Sequence, residues 1–163
     1  MDAEDEIVVA WQLGRPPRAT RRVACRCVHG FPAVTEQAAH TEDGTPFPTS
    51  YWLTCPWLVA SIARLEAAGG VERWSRAASD DDVLLASLVR ADADQRALRP
   101  ELDVGIGGTR TTASLKCLHA HAAFALARPG YVLGERIVAE AGERWCSDAR
   151  CATAIGDQAS DRS

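Results

Sequence analysis

Nine of the ten cysteine and histidine side chains in this sequence are candidates to ligate a soft metal or attack an electrophile: Cys25, Cys27, His29, Cys55, Cys117, His119, His121, Cys146 and Cys151. Thiolate and imidazole are donors that suit zinc, and a thiol beside an imidazole is also the pair used in nucleophilic catalysis. The densest run is Gly105–His121 (GIGGTRTTASLKCLHAH), where a glycine loop passes through hydroxyl residues into an expected helix bearing Cys117, His119 and His121. Lys116 is the only lysine in the chain. No two cysteines have the Cys-x2-Cys spacing of a zinc ribbon, so a metal site here has to be assembled from separate segments. The competing reading is that the cysteines are small buried hydrophobes in an alanine-rich core. His40 reads as a solvated loop residue.

Two arrangements of the dense run are open. In a regular helix Cys117 and His121, four apart, share a face, whereas Cys117 and His119 point about 200° apart. Cys117 and His119 meet only if Cys117 still lies in the non-helical approach. The loop itself offers a different chemistry. Gly107 and Gly108 would present N–H groups at a helix start, and Arg110 and Lys116 would neutralise a phosphorylated or otherwise anionic substrate, with Cys117 or His119 reacting. It is not a P-loop, because the lysine is not followed by Ser or Thr and the spacing differs.

The elements that must position these groups follow from patterning. At 163 residues the chain has the length of one domain, and 47% hydrophobic with 25% charged residues fits a soluble globular protein. A net charge of -4 does not suggest wholesale attraction to nucleic acid or anionic membrane. The basic stretch Arg15, Arg18, Arg21, Arg22 and Arg26 lacks interleaved aromatics for base stacking. An acidic start, with no secretory signal and no run near the roughly 18 apolar residues of a membrane span, gives the expectation of a cytoplasmic protein. In that compartment metal binding, catalysis or burial explains cysteines better than disulfides do.

Residues 6–13 read as a strand or a short helix. Alternation over 21–27, with Val23, Cys25 and Cys27 on one side, reads as a strand, and 31–35 as its hairpin partner after the turn at His29-Gly30. Pro56 suits the first position of a helix, which makes Cys55 its N-cap and would favour the thiolate there. That helix presents Leu58, Ile62 and Leu65 and ends at Gly69-Gly70. Further helices are expected over 71–78, from Ser79–Asp82 to Arg99-Pro100, over 113–127, and from about Leu133 to Gly142. The tail from Ala152 to Ser163 is small and polar and is expected to be mobile. The fold class is thus α+β, mostly α: one domain over 1–151, with about five helices and a small antiparallel β element near the N-terminus.

The chain resembles the bacterial domain of unknown function 501 (DUF501), a family found mainly in actinobacteria. The resemblance runs from residue 12 to about residue 134. It is carried by Arg26-Cys27-Val28-His29-Gly30-Phe31-Pro32-Ala33-Val34, Glu42–Thr49, Tyr51-Trp52-Leu53-Thr54-Cys55-Pro56, Leu65-Glu66 and Lys116-Cys117-Leu118-His119. In the family's first motif a second cysteine stands where this chain has His29. Cys and His replace one another at soft-metal sites, so the resemblance implies that Cys27 and His29 are ligands. The later motifs add Cys55, Cys117 and His119, and favour His119 over His121. The ligand set implied is Cys27, His29, Cys55, Cys117 and His119, with zinc the favoured ion and an iron–sulfur cluster the variant. The resemblance brings no reaction with it. The neighbouring genes of the family suggest a partner in cell division, for which Trp57 and Trp74 on helix surfaces are candidate contacts.

Overall fold

The computed structural model describes residues 1–111 and 114–160. Helix α1 (Ala3–Leu13) opens the chain, so the ambiguous first segment is helical. The Asp2 carboxylate accepts from the Asp5 N–H at 2.8 Å, Glu4, Asp5 and Glu6 sit at the positive end of the helix dipole, and Gly14 ends the helix with φ 65°. Strands β1 (Thr20–Arg26), β2 (Pro32–Gln37) and β3 (Tyr51–Leu53) form one antiparallel sheet in the order β1-β2-β3. The hairpin lies where alternation places it. However, register shifts on either side of Cys25 break the strict alternation of β1, and both Ala24 and Cys25 pack against the core.

Helix α2 (Pro56–Ala67) begins at the expected proline and has Cys55 as its N-cap. It is followed by α3 (Gly70–Asp80) and α4 (Asp82–Leu98), the latter capped by the Asp81 carboxylate on the N–H groups of Val83 and Leu84. A 3-10 turn over Ile106–Gly108 precedes α5 (Leu118–Ala127), and α6 (Val132–Glu140) follows. A second 3-10 turn (Arg150–Ala152) leads into α7 (Thr153–Ser160). The tail expected to be mobile therefore carries a helix, because Ala154 finds an apolar seat beside Val8 and Cys151. Seven α-helices stand among the described residues, and none is long and apolar enough to cross a membrane.

Helix α5 is the centre of the core, with Leu118, Ala120, His121, Ala122, Ala123, Phe124 and Ala125 all buried against α6, β3 and α2. Small residues let α6 approach closely. A Cβ at Gly134 would stand 2.6 Å from the Tyr131 ring, 2.7 Å from Ala125 Cβ and 2.7 Å from the His121 carbonyl. Gly134→Ala is accordingly expected to lower stability by about 1–3 kcal/mol, read from urea unfolding midpoints.

One long side chain was not legible as structural. Arg99 is only 3% exposed and donates to Ser50 Oγ at 2.6 Å and to the carbonyls of Ala38 at 2.8 Å, Phe47 at 2.7 Å and Gln37. It ties the end of α4 to the long connection between β2 and β3.

Candidate metal centre

The end of β3 and the last two turns of α2 position two different groups of chemically capable side chains. Glu66, in the last turn of α2, comes together with Cys117 and His119 so that one ligand atom of each lies within 4.8 Å of the others. Cys117 is the N-cap of α5, with φ -158° and ψ 120°, and so lies outside the helix. This is the condition under which Cys117 and His119 can face one point. The helical-face rule that pairs Cys117 with His121 does not apply to a residue in extended backbone.

His119 is held from two sides. Its Nε2 lies 3.1 Å from the Val59 carbonyl, which can only accept, so this nitrogen carries a proton and donates. Its Nδ1 faces Glu66 Oε1 at 3.2 Å. The same carboxylate oxygen accepts from the Leu118 N–H at 2.6 Å, capping α5. Val59 and Glu66 are seven apart on α2 and share a face, so the imidazole lies along the helix between them. Hydrogen bonding to Cys117, aided by the Val59 carbonyl and the Glu66 charge, outweighs burial and raises the His119 pKa to about 9. All three side chains are partly exposed, which leaves the group open to solvent.

His121 belongs to the core instead. It is 1% exposed, its Nδ1 pairs with the Tyr131 hydroxyl at 2.7 Å, and burial lowers its pKa to about 3, so the ring is neutral.

The other candidates lie elsewhere. Cys55 and Glu66 stand at opposite ends of α2, about 16 Å apart along its axis at 1.5 Å per residue. Cys27 and Cys55 are outside the group formed by Glu66, Cys117 and His119. His29 is exposed at the hairpin turn and donates from Nε2 to the Cys146 carbonyl at 2.7 Å. The thiolate expected at the α2 N-cap is not favoured. Burial dominates and raises the Cys55 pKa, although the Leu58 and Trp57 N–H groups oppose it. His40 is exposed, as its loop position implies.

The glycine loop does not run into a helix start. Gly107 and Gly108 close a 3-10 turn, Lys116 Nζ donates to the Gly108 carbonyl at 3.3 Å, and Arg110 is exposed. The helix begins at Leu118 rather than 113, and its first N–H is already occupied by Glu66. Thr112 and Ala113, which the expected loop and helix include, lie outside the described residues. Trp57 and Trp74 donate internally, to the Glu143 carbonyl and the Glu140 carboxylate, each at 2.6 Å.

Sequence reasoning gave Glu66 no role. A signal was present, since a carboxylate in the last turn of a helix opposes the dipole and calls for a compensating partner.

The fold and its thiol, imidazole and carboxylate group define a mostly helical α+β protein with a candidate soft-metal centre between two helices. Residues 23–139 match the model of the protein family of unknown function DUF501, and the chain belongs to that family. No curated protein and no solved structure matches it.

Proposed function

We propose that this protein binds a metal ion through Glu66, Cys117 and His119, and that zinc is the ion this donor set suits best. The orientation of His119 carries the reading. In metal sites a ligating histidine almost always donates its second ring N–H to a carbonyl or carboxylate, which fixes the tautomer and aims the other nitrogen at the ion. Here Nε2 donates to the Val59 carbonyl while Nδ1 faces Glu66 beside Cys117. One thiolate, one imidazole and one carboxylate suit zinc, whereas an iron–sulfur cluster at this point would need more thiolates. Three protein ligands leave a fourth position for water or a substrate atom, the arrangement of catalytic rather than closed structural zinc.

The alternative, an enzyme that takes an anionic substrate on the glycine loop, has less behind it. Lys116 is spent on a loop carbonyl, and the Glu66 carboxylate sits where the anion would dock.

Metal analysis tests the proposal. Zinc per chain is expected to fall by one equivalent in both Cys117→Ser and His119→Ala, and to remain unchanged in Cys25→Ser. Folded variants that keep the full wild-type zinc content would overturn it.

A further inference from the structure

We infer that Cys27, Cys55, Cys146 and Cys151 form a second soft-metal site, a closed four-thiolate zinc site at the opposite end of α2 from Glu66. Three separate parts of the chain converge on one short segment, Phe31-Pro32-Ala33, at the start of β2, and a fourth meets the hairpin turn beside it. The Cys27 N–H donates to the Phe31 carbonyl at 2.9 Å, closing the hairpin turn. The Gln12 side-chain amide of α1 donates both to the Pro32 carbonyl at 2.7 Å and to Cys151 Sγ at 3.3 Å. The Cys55 N–H donates to the Ala33 carbonyl at 3.2 Å. Cys146 joins through its own carbonyl, which accepts from His29 in the same hairpin turn at 2.7 Å.

Two further contacts hold the segment carrying Cys146 and Cys151 against the start of α2. Trp57, two residues after Cys55, donates to the Glu143 carbonyl, and Arg150 stacks over the Trp57 ring at 5.1 Å. The electrostatics agree with this proximity. Beyond the effect of burial, Cys151 and Cys27 raise the Cys55 pKa, and Cys27 and Cys146 raise that of Cys151. Cys55, Cys146 and Cys151 are buried, Cys27 is half-buried, and all four are free thiols.

No three of the four sulfurs all lie within 4.8 Å of one another. Zinc, with bonds of about 2.3 Å to sulfur, would draw them together, each thiol releasing its proton to solvent. All four lie on backbone outside the long helices and strands: the turn at Cys27, the N-cap of α2 at Cys55, the stretch after α6 at Cys146, and the 3-10 turn at Cys151. Such an ion would link α1, the hairpin, α2 and the C-terminal segment, and so contribute directly to folding. His29, assigned to the ligands by resemblance, would then act as the residue that positions Cys146. This site does not depend on the reading of Glu66, Cys117 and His119.

The test uses the full chain and zinc itself. Protein stripped with chelator is alkylated with iodoacetamide with and without added Zn²⁺, and labelling is read at each cysteine by peptide mass spectrometry. Zinc is expected to slow labelling of Cys27, Cys55, Cys146 and Cys151 at least tenfold, and to leave Cys25 unaffected. The protection should persist in a Cys117→Ser/His119→Ala variant, which keeps one equivalent of zinc. Cys146→Ser/Cys151→Ser should lose that protection together with one equivalent. Equal labelling with and without zinc at these four positions would overturn the site, as would full zinc content in Cys146→Ser/Cys151→Ser. The alkylation comparison is made on the unmutated chain, so poor folding of a variant does not remove the test.

Discussion

Arg99→Met is expected to destabilise the protein by about 3–5 kcal/mol, the range for breaking a buried, fully hydrogen-bonded charged group. Methionine would fill much of the volume but supply no donors. The carbonyls of Gln37, Ala38 and Phe47 and the Ser50 hydroxyl would each lose a charged partner inside the protein, where an unmet acceptor costs about 1–3 kcal/mol. Lysine should recover part of the loss, since it keeps the charge but cannot reach four acceptors in the planar fork of a guanidinium. Urea unfolding at neutral pH reads the effect. A change below about 1 kcal/mol in Arg99→Met would show that the β2–β3 connection is held by other contacts.

A pH-dependent loss of stability on the alkaline side is the second large effect expected. In the metal-free chain the His119 pKa is raised from 6.5 to about 9, so the folded state binds the proton more tightly than the unfolded state. The associated stabilisation is fully present below the unfolded value of 6.5 and is lost as pH rises through about 9. Its size is of order 3 kcal/mol, from 1.36 kcal/mol per pKa unit for a side chain that is 25% exposed. Thermal unfolding in chelator from pH 6 to 10 should therefore show a falling midpoint in wild type and a flatter curve in His119→Gln. Zinc reverses the trend. The ligating ring must be deprotonated, so zinc affinity at this site should rise about tenfold per pH unit up to about pH 9 from this one proton. Equal slopes for wild type and His119→Gln in chelator would contradict the assignment.

Local chemistry made some of this molecule legible in its sequence. Pro56 after Cys55 marks the start of α2, because proline lacks only an N–H that the first turn does not use. The hairpin is visible from alternation and the turn at Gly30, and α4 from the acids at its start and its leucine spacing, although Asp81 rather than the Ser79 hydroxyl caps it. Other features depend on partners distant in the chain. Strand β3 has three residues, too few for a period, and exists because β2 offers it a ladder. Helix α7 is polar in composition and forms against α1. For the site, Cys117 and His119 were within reach of sequence reasoning, but the choice between His119 and His121 turned on whether Cys117 is helical. Backbone angles at an N-cap decide that, and periodicity does not report them. Glu66 contributes from 51 positions before Cys117, and only the packing of α2 on α5 brings it there.

The central claim concerns one imidazole, and nitrogen-resolved NMR of His119 during zinc addition at pH 7 tests it directly. Metal-free protein should show the ring protonated on both nitrogens. On zinc binding Nδ1 should lose its proton and shift as a ligand, while Nε2 keeps its proton on the Val59 carbonyl. A ring that stays doubly protonated in excess zinc, and still titrates near pH 9, would show that Glu66, Cys117 and His119 hold no ion.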